Sequence, residues 1–316
     1  MKKLLLGLLL VFTCVMPLLA LELKEGRMRL VVDERSGRFI IYYQTEANAA
    51  TWLPLLYDQE NKTTYPTLLV DQRTFKLGES SDFRTQVSKL GSTIVIEYRS
   101  AFCTVIQTIS FLASKPGMAA NGVLIKFEIT NTAERDASIG LRFLFDTWLG
   151  EQNNRHFITD SGALLTNETV LRADTNIKWV VSPKDAQSGT AFFVEANGQR
   201  PDSIILANWK RLNDVPWSFD SQPNRNFTLL PYSINDSAIA YFYNAQTLRR
   251  GASREIFILM GAAYTGDFQT EKLADAKEAG VTIINQLVSE AEKVQLNMEL
   301  DLLAAKELLD RINTLM

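Results

Sequence analysis

Alternation of apolar and polar side chains governs this chain from residue 28 to 261, and a chain patterned at period two has few options besides strands with one buried face. Val123, Ile125, Phe127 and Ile129 point one way, while Leu124, Lys126, Glu128 and Thr130 point the other. Ile139, Leu141, Phe143 and Phe145 repeat the pattern opposite Gly140, Arg142, Leu144 and Asp146, and the turn-forming stretch 131–136 between the two runs predicts a hairpin. Arg142 and Asp146 then share the outward face, by default as a surface ion pair of little energetic weight. Similar runs occur at 28–33, 38–44, 93–99, 177–181, 190–195, 203–210, 238–243 and 254–260. Gly37 closes the first hairpin, where a glycine accepts a positive φ at no steric cost.

Roughly fifteen strands with short polar turns and no helical pattern between them predict a mainly β chain: a large antiparallel β-sandwich, or two abutting ones, rather than a βαβ fold. After Gly266 the pattern changes. Val281, Ile284, Val288, Ala291, Gln295, Met298, Leu302, Ala305, Leu309 and Ile312 step by three and four, which predicts a C-terminal amphipathic helical tail over 267–316. Leu287, Val294, Leu308 and Leu315 widen its apolar face beyond a two-stranded seam. Three uses fit such a face: packing on the chain's own sandwich, folding back as a helical hairpin, or joining a bundle with partner chains. Val281, Ile284, Val288, Leu302, Leu309 and Ile312 are the candidate partner-binding residues. Ten acids face five bases in this tail, which excludes a basic membrane-surface helix.

The other end of the chain reads as a secretory leader. Lys2 and Lys3 precede an apolar run over 4–19 that ends at Ala20, and the run is short of the roughly 20 residues a spanning helix needs. The domains expected are a signal peptide at 1–20, the β-sandwich at 21–266 and the helical tail, in a protein exported to a bacterial periplasm or beyond, with no transmembrane segment once the leader is removed. Of the two cysteines only Cys103 then remains, so an intramolecular disulfide is excluded, and its apolar surroundings over 102–112 predict a buried, inert thiol. A net charge of -3 with interspersed signs gives no footprint for nucleic acid.

The chain has a single histidine, His156. Multi-histidine zinc sites and cysteine zinc sites are therefore excluded within one chain. No Gly-x-Ser-x-Gly elbow and no phosphate-cradling glycine pattern is present, and no cofactor or metal is expected. Two polar constellations remain. At the end of the strand from Ile139, Asp146, Glu151 and Asn153 offer oxygens of the kind calcium takes, and Trp148 and His156 offer rings for a sugar face, although the spacing matches no twelve-residue calcium loop and a turn held by Asp and Asn side chains explains the same residues. The long stretch 207–236 carries Trp209, Lys210, Arg211 and Trp217 with Asp214 and Asp220, suited either to carbohydrate or to capping an end of the sandwich. Asp146 paired with Glu151, Asp214 or Asp220 would meet the two-carboxylate requirement of glycoside chemistry.

Two segments carry a resemblance. Residues 123–150, with Leu-Ile-Lys-Phe-Glu-Ile-Thr-Asn-Thr and Ile-Gly-Leu-Arg-Phe-Leu-Phe-Asp-Thr-Trp-Leu-Gly, and the run Leu-Leu-Pro-Tyr-Ser-Ile-Asn-Asp-Ser at 229–237 resemble segments of uncharacterised exported bacterial β-sandwich proteins. The strand rhythm of the β body is also similar to the galactose-mutarotase-like supersandwich. That likeness implies the architecture; enzymes of the group use a histidine pair with a glutamate, and this chain has His156 alone. The function expected first is a non-enzymatic envelope protein that docks to a protein partner or self-associates. The alternative is a carbohydrate-binding or carbohydrate-processing protein with a glycan as ligand.

Overall fold

A computed structural model describes residues 20–45, 51–113, 119–185 and 188–264. The expected leader, apart from Ala20, and the tail with Val281, Ile284, Val288, Leu302, Leu309 and Ile312 lie outside the described residues. Among those described, the chain is mainly β, in three antiparallel sheets.

The first sheet has four strands in sequence order: β1 (Ala20–Glu25), β2 (Met28–Asp33), β3 (Phe39–Tyr43) and β4 (Leu53–Pro54). The second has six, comprising β5 (Tyr65–Val70), β6 (Arg73–Lys76), β11 (Ala137–Asp146), β14 (Thr169–Arg172), β17 (Ser203–Asn208) and β18 (Ser237–Leu248) in the order β14-β17-β18-β11-β5-β6. The third has nine: β7 (Arg84–Leu90), β8 (Thr93–Arg99), β9 (Cys103–Leu112), β10 (Gly122–Asn131), β12 (Phe157–Thr159), β13 (Leu164–Leu165), β15 (Trp179–Pro183), β16 (Ser188–Phe193) and β19 (Ser253–Tyr264), ordered β13-β12-β15-β16-β19-β10-β9-β8-β7.

The β2–β3 hairpin forms as its sequence predicts, with Gly37 at φ 69° and its N–H donating to the Asp33 carbonyl at 2.8 Å. The hairpin expected between β10 and β11 does not. β10 pairs with β9 and β19, β11 pairs with β5 and β18, and residues 131–136 carry the chain from one sheet to the other. The two strands with the same alternation therefore face each other across the core, where the Phe127 and Phe143 rings lie 5.6 Å apart and those of Phe145 and Phe192 likewise 5.6 Å. Alternation fixes which face is buried and leaves open which strand is the neighbour.

One continuous apolar cluster draws on all three sheets, with Met28, Leu30, Ile41, Ile96, Phe127, Phe143 and Tyr241 fully enclosed. Tyrosines enter this core only where the hydroxyl finds a partner. Tyr241 donates to the Phe193 carbonyl and Tyr243 to the Phe257 carbonyl, each at 2.8 Å across the sheet interface. Cys103 is buried, and burial pushes its thiol up to about 12, as an inert cysteine requires.

The outer face of the six-stranded sheet departs from the sequence pattern. Arg142, Leu144 and Asp146 are buried there along with the opposite face of β11, because residues 209–219 fold back over Arg142 and Leu144 while Tyr57 and Thr64 meet Asp146. The predicted strand 203–210 ends at Asn208, whose side chain caps the short helix α1 (Trp209–Asp214) by accepting from Arg211 N–H at 3.2 Å. Trp217 then closes over Gly140, where a Cβ would lie 2.8 Å from the indole.

Candidate functional site

β11 ends at Asp146 beside the start of β18 at Ser237, so the polar residues that leave the two strands share one end of the sheet. Asp146, Glu151 and Asp236 meet there, with their nearest carboxylate oxygens all within 4.8 Å of one another. Backbone fixes each of them. Asp146 N–H donates to Thr64 Oγ1 at 3.0 Å, and its carbonyl accepts from Tyr57 N–H at 3.1 Å. Glu151 sits in a 3₁₀ turn (Glu151–Asn153), and its Oε1 accepts from the Ser237 N–H at 2.7 Å and the Ser237 hydroxyl at 3.1 Å. The turn after Trp148 is tight: a Cβ on Gly150 would lie 2.5 Å from the His156 carbonyl oxygen, so only glycine fits. The Asp236 carbonyl accepts from Trp209 N–H and from Asn208 Nδ2, both at 3.0 Å.

Three carboxyl groups this close cannot all ionise. Burial raises Asp146 well above the carboxylate range, with the charges of Asp236 and Glu60 adding to it. Burial also pushes Glu151 up to about 9 against the opposing donors of Ser237, and it raises Asp236, where Ser233 opposes. A side-chain hydrogen bond from Thr63 opposes the rise of Asp146, and burial outweighs it; the Thr63 hydroxyl also lies 3.2 Å from the Glu60 carbonyl. Tyr57 and Trp148 flank the cluster in an edge contact at 5.3 Å, both half-buried. The three carboxylates could also hold a divalent cation through oxygen ligands.

The other predicted residues are scattered. Asn153 Nδ2 holds the Lys184 carbonyl at 2.8 Å and so pins a turn. His156 is buried against Phe227 at 4.5 Å, neutral because burial lowers it to about 4, and its Nδ1 has no partner among the described residues. Trp209 donates Nε1–H to the Thr63 carbonyl at 3.0 Å and thereby braces the wall of the acid cluster. Lys210 pairs with Asp214 at 2.7 Å, Arg211 with the buried Glu168, and Trp217 packs edge-on to Phe242 at 6.0 Å. Of the carboxylate pairs weighed from sequence, Asp146 and Glu151 are brought together, and Asp214 is engaged by Lys210. The sequence pattern gives no signal that brings Asp236, Tyr57 or Thr63 to this site. Asp236 stands 90 residues from Asp146 in the chain, and only strand pairing joins them. Arg142 and Asp146 form no ion pair; Arg142 donates instead to the carbonyls of Leu212 at 2.8 Å and Pro216 at 3.2 Å.

No family model matches the chain, and no curated protein matches it. Solved structures do. A galactose mutarotase-like protein from Lactobacillus casei is 12% identical over 77% of this chain and 99% of its own, with a TM-score of 0.39. An aldose epimerase homologue from C. elegans is 9% identical over 78% of this chain and 98% of its own, at 0.48. A galactose mutarotase related enzyme from Lactobacillus acidophilus is 10% identical over 78% and 98%, at 0.39. The expectation of a non-enzymatic docking module is corrected by these neighbours, whose names are those of a galactose mutarotase-like protein, an aldose epimerase homologue and a galactose mutarotase related enzyme; at 9–12% identity the likeness is one of fold. Among the described residues no helix is long and apolar enough to cross a membrane.

Proposed function

We propose that this chain binds carbohydrate at the Asp146, Glu151 and Asp236 cluster and processes it by acid–base chemistry. The observation that carries the reading is the cluster itself: three carboxyls within 4.8 Å whose environments favour the protonated form in at least two of them, beside the rings of Tyr57 and Trp148. Neighbouring acids in different protonation states are what proton transfer to and from a sugar oxygen requires. Asp236, half-buried where Asp146 is 5% exposed, takes the ionised role and accepts a proton from a hydroxyl. Glu151, with Oε1 held by Ser237, donates from its free oxygen. The separation falls on the short side of glycosidase geometries, where paired carboxyls about 6.5 to 9.5 Å apart leave room for an attacking water. This favours direct proton exchange or a covalent route over single-step inversion. The same proposal takes the sandwich to be supersandwich-like and the protein to be exported.

The test combines saturation-transfer NMR against a panel of neutral and acidic monosaccharides with polarimetry of aldose anomers. We expect at least one sugar to bind, its turnover to fall by about 100-fold in Glu151→Gln and in Asp236→Asn, and its binding to survive in both. If no sugar of the panel binds, or if both folded variants turn over as the parent does, the reading fails.

A further inference from the structure

We propose that a second site, a cationic cup around Tyr65, binds the oxyanion of a carboxylated or sulfated ligand between Arg38 and Lys76. Tyr65 lies on the covered face of the six-stranded sheet, opposite Leu144. The Arg38 guanidinium stands 4.7 Å from its ring centroid and the Lys76 ammonium 4.1 Å. Arg142, fully buried, lies close enough to act on both Tyr65 and Lys76. Two of the three cations, Arg38 and Arg142, are therefore buried, and Lys76, 31% exposed, is the one that meets solvent.

Their compensation is thin. Arg142 has only carbonyl acceptors, and its Nε has no partner among the described residues. Asp214 acts on Tyr65 from a distance and is already paired with Lys210. Glu79 is the one carboxylate within 4 Å of either remaining cation among the described residues, with Oε2 at 3.7 Å from Arg38 and 3.5 Å from Lys76. Both distances are long for a charge-assisted bond, which closes to about 2.8 Å. Glu79 is also 64% exposed, so it can swing out while Arg38, 3% exposed, keeps its place by donating to the Thr64 carbonyl. Asn213 closes the other side, with Oδ1 accepting from the Tyr65 hydroxyl at 2.7 Å and from Lys76 at 3.3 Å. Desolvated cations repelling one another gain most from an added negative charge, and Glu79 marks where an external oxyanion would sit.

The cup joins the acid cluster through three consecutive residues: Thr63 reaches Asp146, the Thr64 carbonyl holds Arg38, and Tyr65 forms the floor. Assigning the oxyanion to an acidic sugar rests on the carbohydrate reading; the cup itself does not. Titration calorimetry of the full chain with inorganic sulfate, glucuronate and glucose, at ionic strength held constant with chloride, tests both. Sulfate should bind, Lys76→Met should weaken it about tenfold, and Glu79→Gln should tighten it by removing the internal competitor. Sulfate affinity unchanged by either variant, or no sulfate binding at all, overturns the cup. Glucuronate bound in preference to glucose, with a preference lost in Lys76→Met, supports a carboxylated sugar. Sulfate bound without glucuronate keeps the cup, assigns it to sulfate or its esters, and leaves the acid cluster to be judged by its own variants.

Discussion

The two faces of β11 are equally buried and chemically opposite. On the inner side Ile139, Leu141, Phe143 and Phe145 belong to the apolar core, where Phe143 meets Phe127 and Phe145 meets Phe192 of the nine-stranded sheet, each pair of rings 5.6 Å apart. On the outer side Gly140, Arg142 and Leu144 lie under a covering segment, where Arg142 reaches backbone carbonyls, and Asp146 reaches other acids. Burial of apolar groups stabilises without direction, whereas burial of ionisable groups costs free energy that only a partner or a proton offsets. The inner face thus holds the fold, and the outer face holds a desolvated cation in Arg142 and, in Asp146, an acid that burial raises well above the carboxylate range, the condition in which side chains do chemistry.

The largest effect expected is on the inner face. Phe143→Ala should cost about 3 to 5 kcal/mol in denaturant unfolding, since it empties a site packed by Phe39, Phe127 and Phe145. Arg142→Met should cost less, about 1 to 2 kcal/mol, because it removes a desolvated charge together with its two carbonyl bonds. A loss in Arg142→Met as large as that in Phe143→Ala would erase the distinction, making the outer face part of the stabilising core.

Acidity sharpens the contrast further. The folded state raises Glu151 from an ordinary value near 4.5 to about 9, so the protonated form is the one the fold favours. The resulting stability is whole below about pH 4.5 and is lost as pH rises toward about 9. Glu151→Gln, which keeps an acceptor for Ser237 and cannot ionise, should melt several degrees above the parent at pH 8.5 and close to it at pH 4.5. A melting difference that is flat across this range would show that the buried acid carries no such penalty.

Much of this was legible in the sequence, and the boundary of legibility is physical. Period two located most of the strands and the inner face of β11, because a half-buried strand must alternate. It could not show that the outer face was covered too, since the cover over Arg142 and Leu144 comes from residues 209–219, whose own pattern is irregular. It also placed β10 and β11 in one hairpin: a six-residue turn signal reads alike whether the chain returns within a sheet or crosses between two. Asp146 and Glu151 stood out as neighbours in sequence, but Asp236 completes the cluster only through the β11–β18 pairing. Trp209 and Trp217 stand in the sequence among Arg, Asn and Asp, a pattern suited either to carbohydrate or to capping the sandwich, and which ring braces a site and which seals a glycine depends on contacts over 70 residues or more.

The smallest effect separates display from structure. Lys210 was a sequence candidate for ligand contact, and it stands 2.7 Å from Asp214 and 5.5 Å from the ring of the exposed Tyr232, on the solvent side of α1. An exposed pair of this kind contributes at most about 0.5 kcal/mol. Lys210→Ala should therefore leave denaturant stability within that margin and leave sugar turnover unchanged. A loss of sugar binding in Lys210→Ala with the fold intact would extend the site outward across Tyr232 and the neighbouring exposed Leu230 and Ile234, and the division between a chemical covered face and an inert surface would have to be redrawn there.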